Sequence, residues 1–173
     1  MSTLKVNAIT NVAGNADISG VGIIKSYAII ADQKSTDSNG GTFTHGAWRT
    51  RDLNTEISDV DGIVSISSNQ FTLQTGTYLI NTFAPAYKID RHQLRLYNIT
   101  DSSVALTGGS NFASSANSGS QNALMFGRIT ITSAKVFEIQ HQSQTTEGTF
   151  GFGVAAMVGT TETFTVVKIY KET

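Results

Sequence analysis

The chain has 173 residues, of which 14% are charged, and its formal net charge is -1. Globular proteins average about 25% charged residues, so this chain has little electrostatic support for binding nucleic acid or an anionic membrane surface. It contains no cysteine, which excludes disulfides, thiolate metal sites and cysteine nucleophiles. The length suits one main domain. We expect no secretory signal and no membrane insertion, because no run approaches about 18 consecutive apolar residues.

Residues 1–22 are predicted to form a segment of their own. Leu4 and Val6 alternate, as in a short strand, before a run of small and polar residues from Asn11 to Gly22. Such a glycine-bearing polar stretch is typical of a linker. We therefore expect an N-terminal docking segment at residues 1–22, with Leu4 and Val6 as its anchors, followed by a single domain at residues 23–173.

The rest of the chain has the pattern of short strands. Apolar, β-branched and aromatic runs alternate with clusters of Gly, Asn, Asp and Ser, and no window has helical amphipathic spacing. The runs lie at residues 23–30, 42–51, 56–67, 71–73, 77–83, 93–99, 102–109, 124–131, 134–142, 149–158 and 164–171, with long loops at 31–41 and 110–122. About nine or ten strands without intervening helices predict an all-β fold, an antiparallel jelly-roll sandwich.

The three histidines do not form a local metal motif. His45, His92 and His141 are too far apart in sequence for an i, i+2 or i, i+4 ligand pair. His92 and His141 each share a strand face with apolar residues two and four positions away. We therefore expect both imidazoles to be buried, either inside a subunit or at an interface between subunits, where they need hydrogen-bond partners.

Glycine-rich and acidic patterns favour structural roles over cofactor binding. Gly151, Gly153 and Ala156 match the spacing of a dinucleotide-binding loop, but residues 149–158 have the pattern of a strand with no following helix. Their glycines are better explained by close approach of another backbone or subunit. Two clusters offer the oxygen ligands that calcium uses but lack the full spacing of a calcium loop, and we interpret them as turns: Asp37, Asn39 and Gly40, and Asp59, Asp61 and Gly62.

A tryptophan is followed closely by two arginines. We expect Trp48 to be a core anchor. Arg49 and Arg51 share one strand face, and in a protein with few charges they are expected to form buried ion pairs with acidic residues. A contact between subunits and ligand recognition are the alternatives for these arginines. The candidate acidic partners are Asp52, Glu56 and Glu138.

Six sequence blocks, in a fixed order, carry a family resemblance. They are residues 47–55 (AWRTRDLNT), 71–73 (FTL), 76–78 (GTY), 84–87 (APAY), 92–98 (HQLRLYN) and 137–141 (FEIQH). Together they resemble a family of tailed-phage and prophage virion proteins, over about residues 25–172. The opening residues 2–7 (STLKVN) are similar to the N-terminal segments of cyanophage tail-fibre and decoration proteins. The family is similar in fold to the trimeric jelly roll of tumour necrosis factor and the complement globular head.

The resemblance implies a non-enzymatic structural component of a phage virion. It implies a tail-fibre or adhesin-type homotrimer that docks on other virion proteins through residues 1–22, with a host-surface glycan as a further partner. A capsid decoration or cement protein is the alternative role, and a carbohydrate-active enzyme domain is the alternative from another class. No serine-nucleophile motif and no recognisable pair of glycosidase carboxylates is present, so no catalytic residue, cofactor or metal ligand is predicted.

Overall fold

The structure, a computed structural model, describes residues 26–172, in which eleven β-strands and no helix are present. The predicted docking segment, with Leu4 and Val6, lies outside the described residues. The strands are β1 (Ser26–Lys34), β2 (Arg49–Thr50), β3 (Thr55–Ser58), β4 (Val64–Ser67), β5 (Gln70–Leu73), β6 (Gly76–Tyr87), β7 (Asp90–Asn98), β8 (Ser103–Ala113), β9 (Ser120–Ile131), β10 (Lys135–Ser143) and β11 (Glu162–Lys171).

The eleven strands form two antiparallel sheets that enclose one core. The five-stranded sheet, here called the front sheet, has the order β3-β1-β11-β6-β9. The six-stranded sheet, here called the back sheet, has five strands in the order β4-β5-β10-β7-β8. Its sixth strand, β2, pairs with β10 outside this order. Neighbours such as β1 and β11 come from opposite ends of the described chain. The predicted all-β, antiparallel jelly-roll sandwich is confirmed.

The core forms because side chains alternate in direction along each strand. Tyr78 and Ile80 on β6 are buried, as are Leu94 and Leu96 on β7, and all four belong to one cluster between the sheets. His92 and its partners at alternate positions of β7 also point inward, as the alternation predicted. A large apolar side chain contributes about 1.5–3 kcal/mol when fully buried, so this shared core is the main source of stability.

Several strands are longer than the sequence predicted. β8 and β9 extend into residues 110–122, which we had expected to form a loop, and only residues 114–119 connect them. β1 likewise continues to Lys34, into the predicted loop at 31–41. The polar residues in these extensions pair with neighbouring strands, Ser110 with Gln93 and Ser120 with Tyr87. Backbone pairing therefore overrides the local turn preference of Ser, Asn and Gly.

Residues 149–158 were predicted to be a strand, and this is wrong, because they form an irregular segment outside both sheets. Their glycines do permit close approach. A Cβ atom on Gly151 would lie 2.5 Å from Cβ of Phe43, and one on Gly153 would lie 2.4 Å from the ring of Phe164. Gly153 also has a φ of 134°, and its carbonyl accepts a hydrogen bond of 2.9 Å from the Gly40 amide. Steric limits, not strand pairing, explain these glycines.

We expect Gly153→Ala to lower the free energy of unfolding by about 2–4 kcal/mol, because it adds overpacking to a strained backbone conformation. Gly148→Ala is the matched control, since a Cβ atom there meets nothing within 4 Å. Urea denaturation of both variants measures the difference. Equal stability of the two variants would show that the segment at residues 149–158 rearranges to accommodate the added methyl group. Close packing of this segment against the sandwich would then not contribute to stability.

Candidate functional site

The outer face of the front sheet is rich in exposed apolar side chains. We call the set Tyr27, Ile29, Leu79, Phe83, Leu124, Phe126 and Tyr170 the apolar face. The strand register places Tyr27, Tyr170 and Leu79 in one row across β1, β11 and β6. Phe83 lies opposite Leu124 in a second row, and Phe126 lies opposite Asn81 between the two rows. The apolar side chains are therefore neighbours on one surface.

The exposure of this face is large for a protein surface. Phe126 is 80% exposed and Leu124 is 58% exposed in the single chain. An antiparallel sheet that faces water normally alternates apolar and polar residues, whereas β6 and β9 carry apolar residues in both phases. Exposed Lys168 and Asn81 lie in the middle row of this face, between Ile29 and Phe126. A surface with this many large exposed apolar side chains is typical of a protein interaction surface.

The outer face of the back sheet is polar and extensively hydrogen-bonded. The Arg95 guanidinium lies 4.1 Å from the ring centre of Trp48 and 4.8 Å from that of Tyr97. Arg95 Nε donates to Gln140 Oε1 over 2.6 Å, and the Gln140 amide in turn donates to Glu138. Trp48 was expected to anchor the core, and this is wrong, because it is half-buried on the outer face against Arg95.

An open groove of about 930 Å³ lies on the back sheet, beside this network. We call it the amide groove, and its lining residues are Arg91, His92, Gln93, Ser110, Asn111, Phe112, Gln142, Ser143 and Gln144. No Asp or Glu is among them. A carbohydrate-active enzyme would require two acidic residues that converge on its substrate, and this groove does not provide that pair.

A buried arginine lies at the junction between the two sheets and the segment at residues 149–158. The Arg51 side chain is fully buried and donates to Thr165 Oγ1 over 2.8 Å, to the Phe152 carbonyl over 2.8 Å and to the Pro85 carbonyl over 3.3 Å. Its guanidinium also lies 4.2 Å from the ring centre of Phe152. Burial lowers the pKa of Arg51 to about 9, while the nearby carboxylates of Asp32 and Asp52 oppose that shift.

The expected ion pairs of the two arginines are not formed among residues 26–172. Arg51 binds carbonyl and hydroxyl oxygens instead, and Arg49 donates to the carbonyls of Thr44 and His45. Asp52 pairs with Lys34 over 2.7 Å. Backbone carbonyls at the end of the sandwich need donors, and a guanidinium with five N–H groups satisfies several of them at once.

The two predicted interface histidines contact each other inside the chain. His92 Nδ1 and His141 Nε2 are 3.0 Å apart, and the edge of the Phe43 ring lies against His141 with 4.8 Å between ring centres. Their outer nitrogens, His92 Nε2 and His141 Nδ1, have no partner among the described residues. Burial, reinforced by the charge of Arg51, lowers the pKa of His92 to about 4 and that of His141 well below its ordinary value. A contact of either histidine with a second subunit stays a prediction.

These positions do not assemble a metal site. His45 is exposed and apart from the histidine pair. Within residues 26–172, no group of three or more His, Cys, Asp or Glu side chains is placed to hold a metal ion. Over the same residues, none of the backbone forms a helix long and apolar enough to cross a membrane.

Comparison with solved structures identifies the fold. The globular domain of zebrafish complement 1qA superimposes with a TM-score of 0.55 at 16% identity, covering 85% of this chain and 96% of that chain. Eiger, a tumour necrosis factor from S. frugiperda, gives a TM-score of 0.58 at 10% identity, covering 84% and 91%. The fold is the jelly roll of tumour necrosis factor and C1q. No protein-family model and no curated sequence matches the chain.

A virion protein shares this jelly roll. PRD1 vertex protein P5 superimposes with a TM-score of 0.54 at 14% identity, covering 88% of this chain and 100% of that chain. At these identities the likeness shows the fold alone. The same architecture is therefore found in a viral vertex as well as in complement and cytokine domains.

The apolar face was not predicted from the sequence. A local signal for it is present in β9, where Leu124 and Phe126 alternate with the buried Ala123 and Met125, so that neighbouring apolar residues point to opposite sides of the sheet. A strand with both faces apolar is one that is covered on both sides. The run at residues 124–131 was predicted only as a strand, although its second apolar face also needs a cover.

Acidification is expected to destabilise the fold through the histidine pair. In the unfolded chain both imidazoles regain a pKa near 6.5, so between about pH 6.5 and pH 4 the unfolded state binds more protons than the folded state. The free energy of unfolding therefore falls as the pH is lowered through this window. Urea denaturation at a series of pH values measures the slope.

The double variant His92→Gln, His141→Gln should give a flatter pH dependence over this window than the parent chain. His45→Gln removes an exposed histidine and should leave the slope as it is. A double variant with the parent slope would show that the buried pair is not the source of the acid sensitivity.

Proposed function

We propose that the protein is a homotrimeric, non-enzymatic jelly-roll module of a phage virion, of the tail-fibre or adhesin type. The observation that carries this proposal is the apolar face on the front sheet of a fold shared with tumour necrosis factor and C1q. The family resemblance of the sequence blocks, which implies a trimeric virion protein, supports it, as does the fold of the PRD1 vertex protein. A jelly roll that acts by assembly and contact needs no catalytic group.

Two further copies of the chain are the proposed cover of the apolar face. In a ring of three subunits each copy presents the same surfaces around one axis, so all three apolar faces are covered and the assembly closes. A stable interface buries roughly 800 Å² on each partner, with apolar side chains at its centre. The apolar face spans the neighbouring strands β1, β11, β6 and β9 and provides an extended surface of that character.

Charge on the apolar face is expected to dissociate the trimer. The change Leu124→Asp, Phe126→Asp removes two apolar side chains whose burial contributes about 1.5–3 kcal/mol each, which corresponds to a roughly 100- to 20,000-fold weaker association. Sedimentation of the full chain at micromolar concentration measures the effect.

Val104→Asp is the matched control for this experiment. Val104 is 47% exposed and pairs with Tyr97 on the outer face of the back sheet, away from the apolar face. The Val104→Asp variant should remain trimeric. A parent chain that sediments as a monomer contradicts the trimer, and dissociation by Val104→Asp alone would place the interface on the other sheet.

Residues 1–22 are the proposed attachment to other virion proteins. Leu4 and Val6 alternate on one side of a predicted strand, and such a strand can bind by adding to an exposed sheet edge or by packing its apolar side chains. The linker-like stretch from Asn11 to Gly22 separates this segment from the jelly roll. The alternative role, a capsid decoration or cement protein, uses the same segment and differs in its binding partner.

Deletion of residues 1–20 is expected to leave the jelly roll folded and to abolish incorporation into particles. Leu4→Asp with Val6→Asp should weaken docking by several kcal/mol at most, since burial of each contributes about 1.5–3 kcal/mol. Occupancy on purified virions and melting temperature are the two measurements. Lys5→Asp, on the opposite side of the predicted strand, is the control. Normal occupancy of the truncated protein would show that the jelly roll itself makes the attachment.

A further inference from the structure

The amide groove has the composition of a saccharide-binding surface. Three of its outward-facing side chains are glutamine amides, Gln93, Gln142 and Gln144, and Ser110 adds a hydroxyl. Amides and hydroxyls donate and accept hydrogen bonds at one position, which matches the paired donor and acceptor character of sugar hydroxyls.

The groove is held rigid by the strands that carry it. Gln93 on β7 lies between Ser110 on β8 and Gln142 on β10, each a direct cross-strand partner. Gln93 Nε2 donates to the Gly108 carbonyl over 2.9 Å, which restrains this amide. Within residues 26–172, no side-chain hydrogen bond engages Gln142, so this restraint applies to Gln93 and not to Gln142. Preorganised polar groups bind with a smaller loss of conformational entropy than mobile ones.

An aromatic ring lies at one edge of these polar groups. Phe112 is 51% exposed on the outer face of β8 and is the direct cross-strand partner of Arg91. The C–H face of a sugar ring packs against an aromatic ring, while the hydroxyls of the sugar point sideways to hydrogen-bonding groups. An exposed phenylalanine beside fixed amides therefore provides both parts of such a contact.

The charge of the groove favours an acidic ligand. Arg91 is exposed, and its Nη1 donates to Gln144 Oε1 over 2.9 Å, so its partner is a neutral amide. The adjacent carboxylate of Asp90 is engaged elsewhere, where it accepts hydrogen bonds from Ser115 and from the Thr145 hydroxyl. No carboxylate lines the groove. The remaining N–H groups of Arg91 are of the kind that bind a carboxylate in a paired geometry.

The buried histidine pair supports the floor of the groove. His92, between Arg91 and Gln93 on β7, is one of the lining residues, although only 4% of it is exposed. Its Nδ1 contacts His141, and its Nε2 has no partner among the described residues. The histidine pair is therefore part of the support beneath the groove, and the ligand-facing groups are the side chains on the outer face of β7, β8 and β10.

We propose that the amide groove binds an acidic saccharide, with Arg91 bound to the carboxylate of the sugar and Phe112 packed on its ring. The proposal rests on the adhesin role proposed above and assigns its recognition surface and ligand class. In the trimer model the apolar face is covered by other subunits, and the groove on the back sheet stays open to a host surface.

Calorimetric titration of the full chain with sialyllactose and with oligogalacturonate tests the proposal, with lactose and neutral galacto-oligosaccharides as counterparts. At least one acidic probe should bind tenfold or more tightly than its neutral counterpart. Arg91→Gln should lower the affinity for that acidic probe to the affinity for its neutral counterpart. Phe112→Ala should weaken the binding of the acidic probe and of the neutral counterpart by at least fivefold. Val104→Ala, an exposed apolar residue on the same strand as Phe112, should change neither affinity.

Absence of any preference for the acidic probes, or an unchanged affinity in Arg91→Gln, overturns the proposal. Melting curves of each variant establish that a loss of binding is not a loss of fold. Sedimentation of the same samples separates saccharide binding by the amide groove from formation of the trimer. A trimer that binds none of the probes refutes only the saccharide-binding proposal. A protein that sediments as a monomer refutes the proposed trimer.

Discussion

The apolar outer face of the front sheet is the constraint on which the rest of the arrangement depends. One side of this sheet forms the core with the back sheet, and on its other side Leu124 and Phe126 are exposed among residues 26–172. Phe126 and Leu124 on that side are too exposed for a surface that remains in water. In the proposed trimer other copies cover them, and the polar back sheet is the outward surface. The proposal thus places assembly and recognition on opposite sides of one sandwich.

The buried polar cluster connects the closed end of the sandwich to the groove. Arg51 links β11, β6 and the segment at residues 149–158 through three hydrogen bonds. Burial, reinforced by the positive charge of Arg51, lowers the pKa of the neighbouring His92 and His141 and keeps both imidazoles neutral. His92 is followed directly by Gln93, so packing of the cluster fixes the backbone of β7 from below.

The fold was predictable from the sequence, and the candidate sites only in part. Alternation at His92, Leu94 and Leu96 specified which side of β7 faces inward, because that pattern depends only on strand geometry. The partners of Arg51 were not predictable, since Pro85, Phe152 and Thr165 lie 34, 101 and 114 residues from it in sequence and are brought together by topology. The amide groove likewise combines three strands whose register no local pattern specifies. The apolar face had a local signal in Leu124 and Phe126, which indicated a strand covered on both sides.

An experimental structure of the full chain in its assembled state tests the central claim most directly. The account predicts three copies around one axis, with Phe126 falling from 80% exposed in the single chain to buried, and with Gln93 and Gln142 still open to solvent. An assembly that buries the back sheet and leaves Phe126 and Leu124 in water would contradict the assignment of the two faces. A well-ordered monomer with the apolar face exposed would also contradict it.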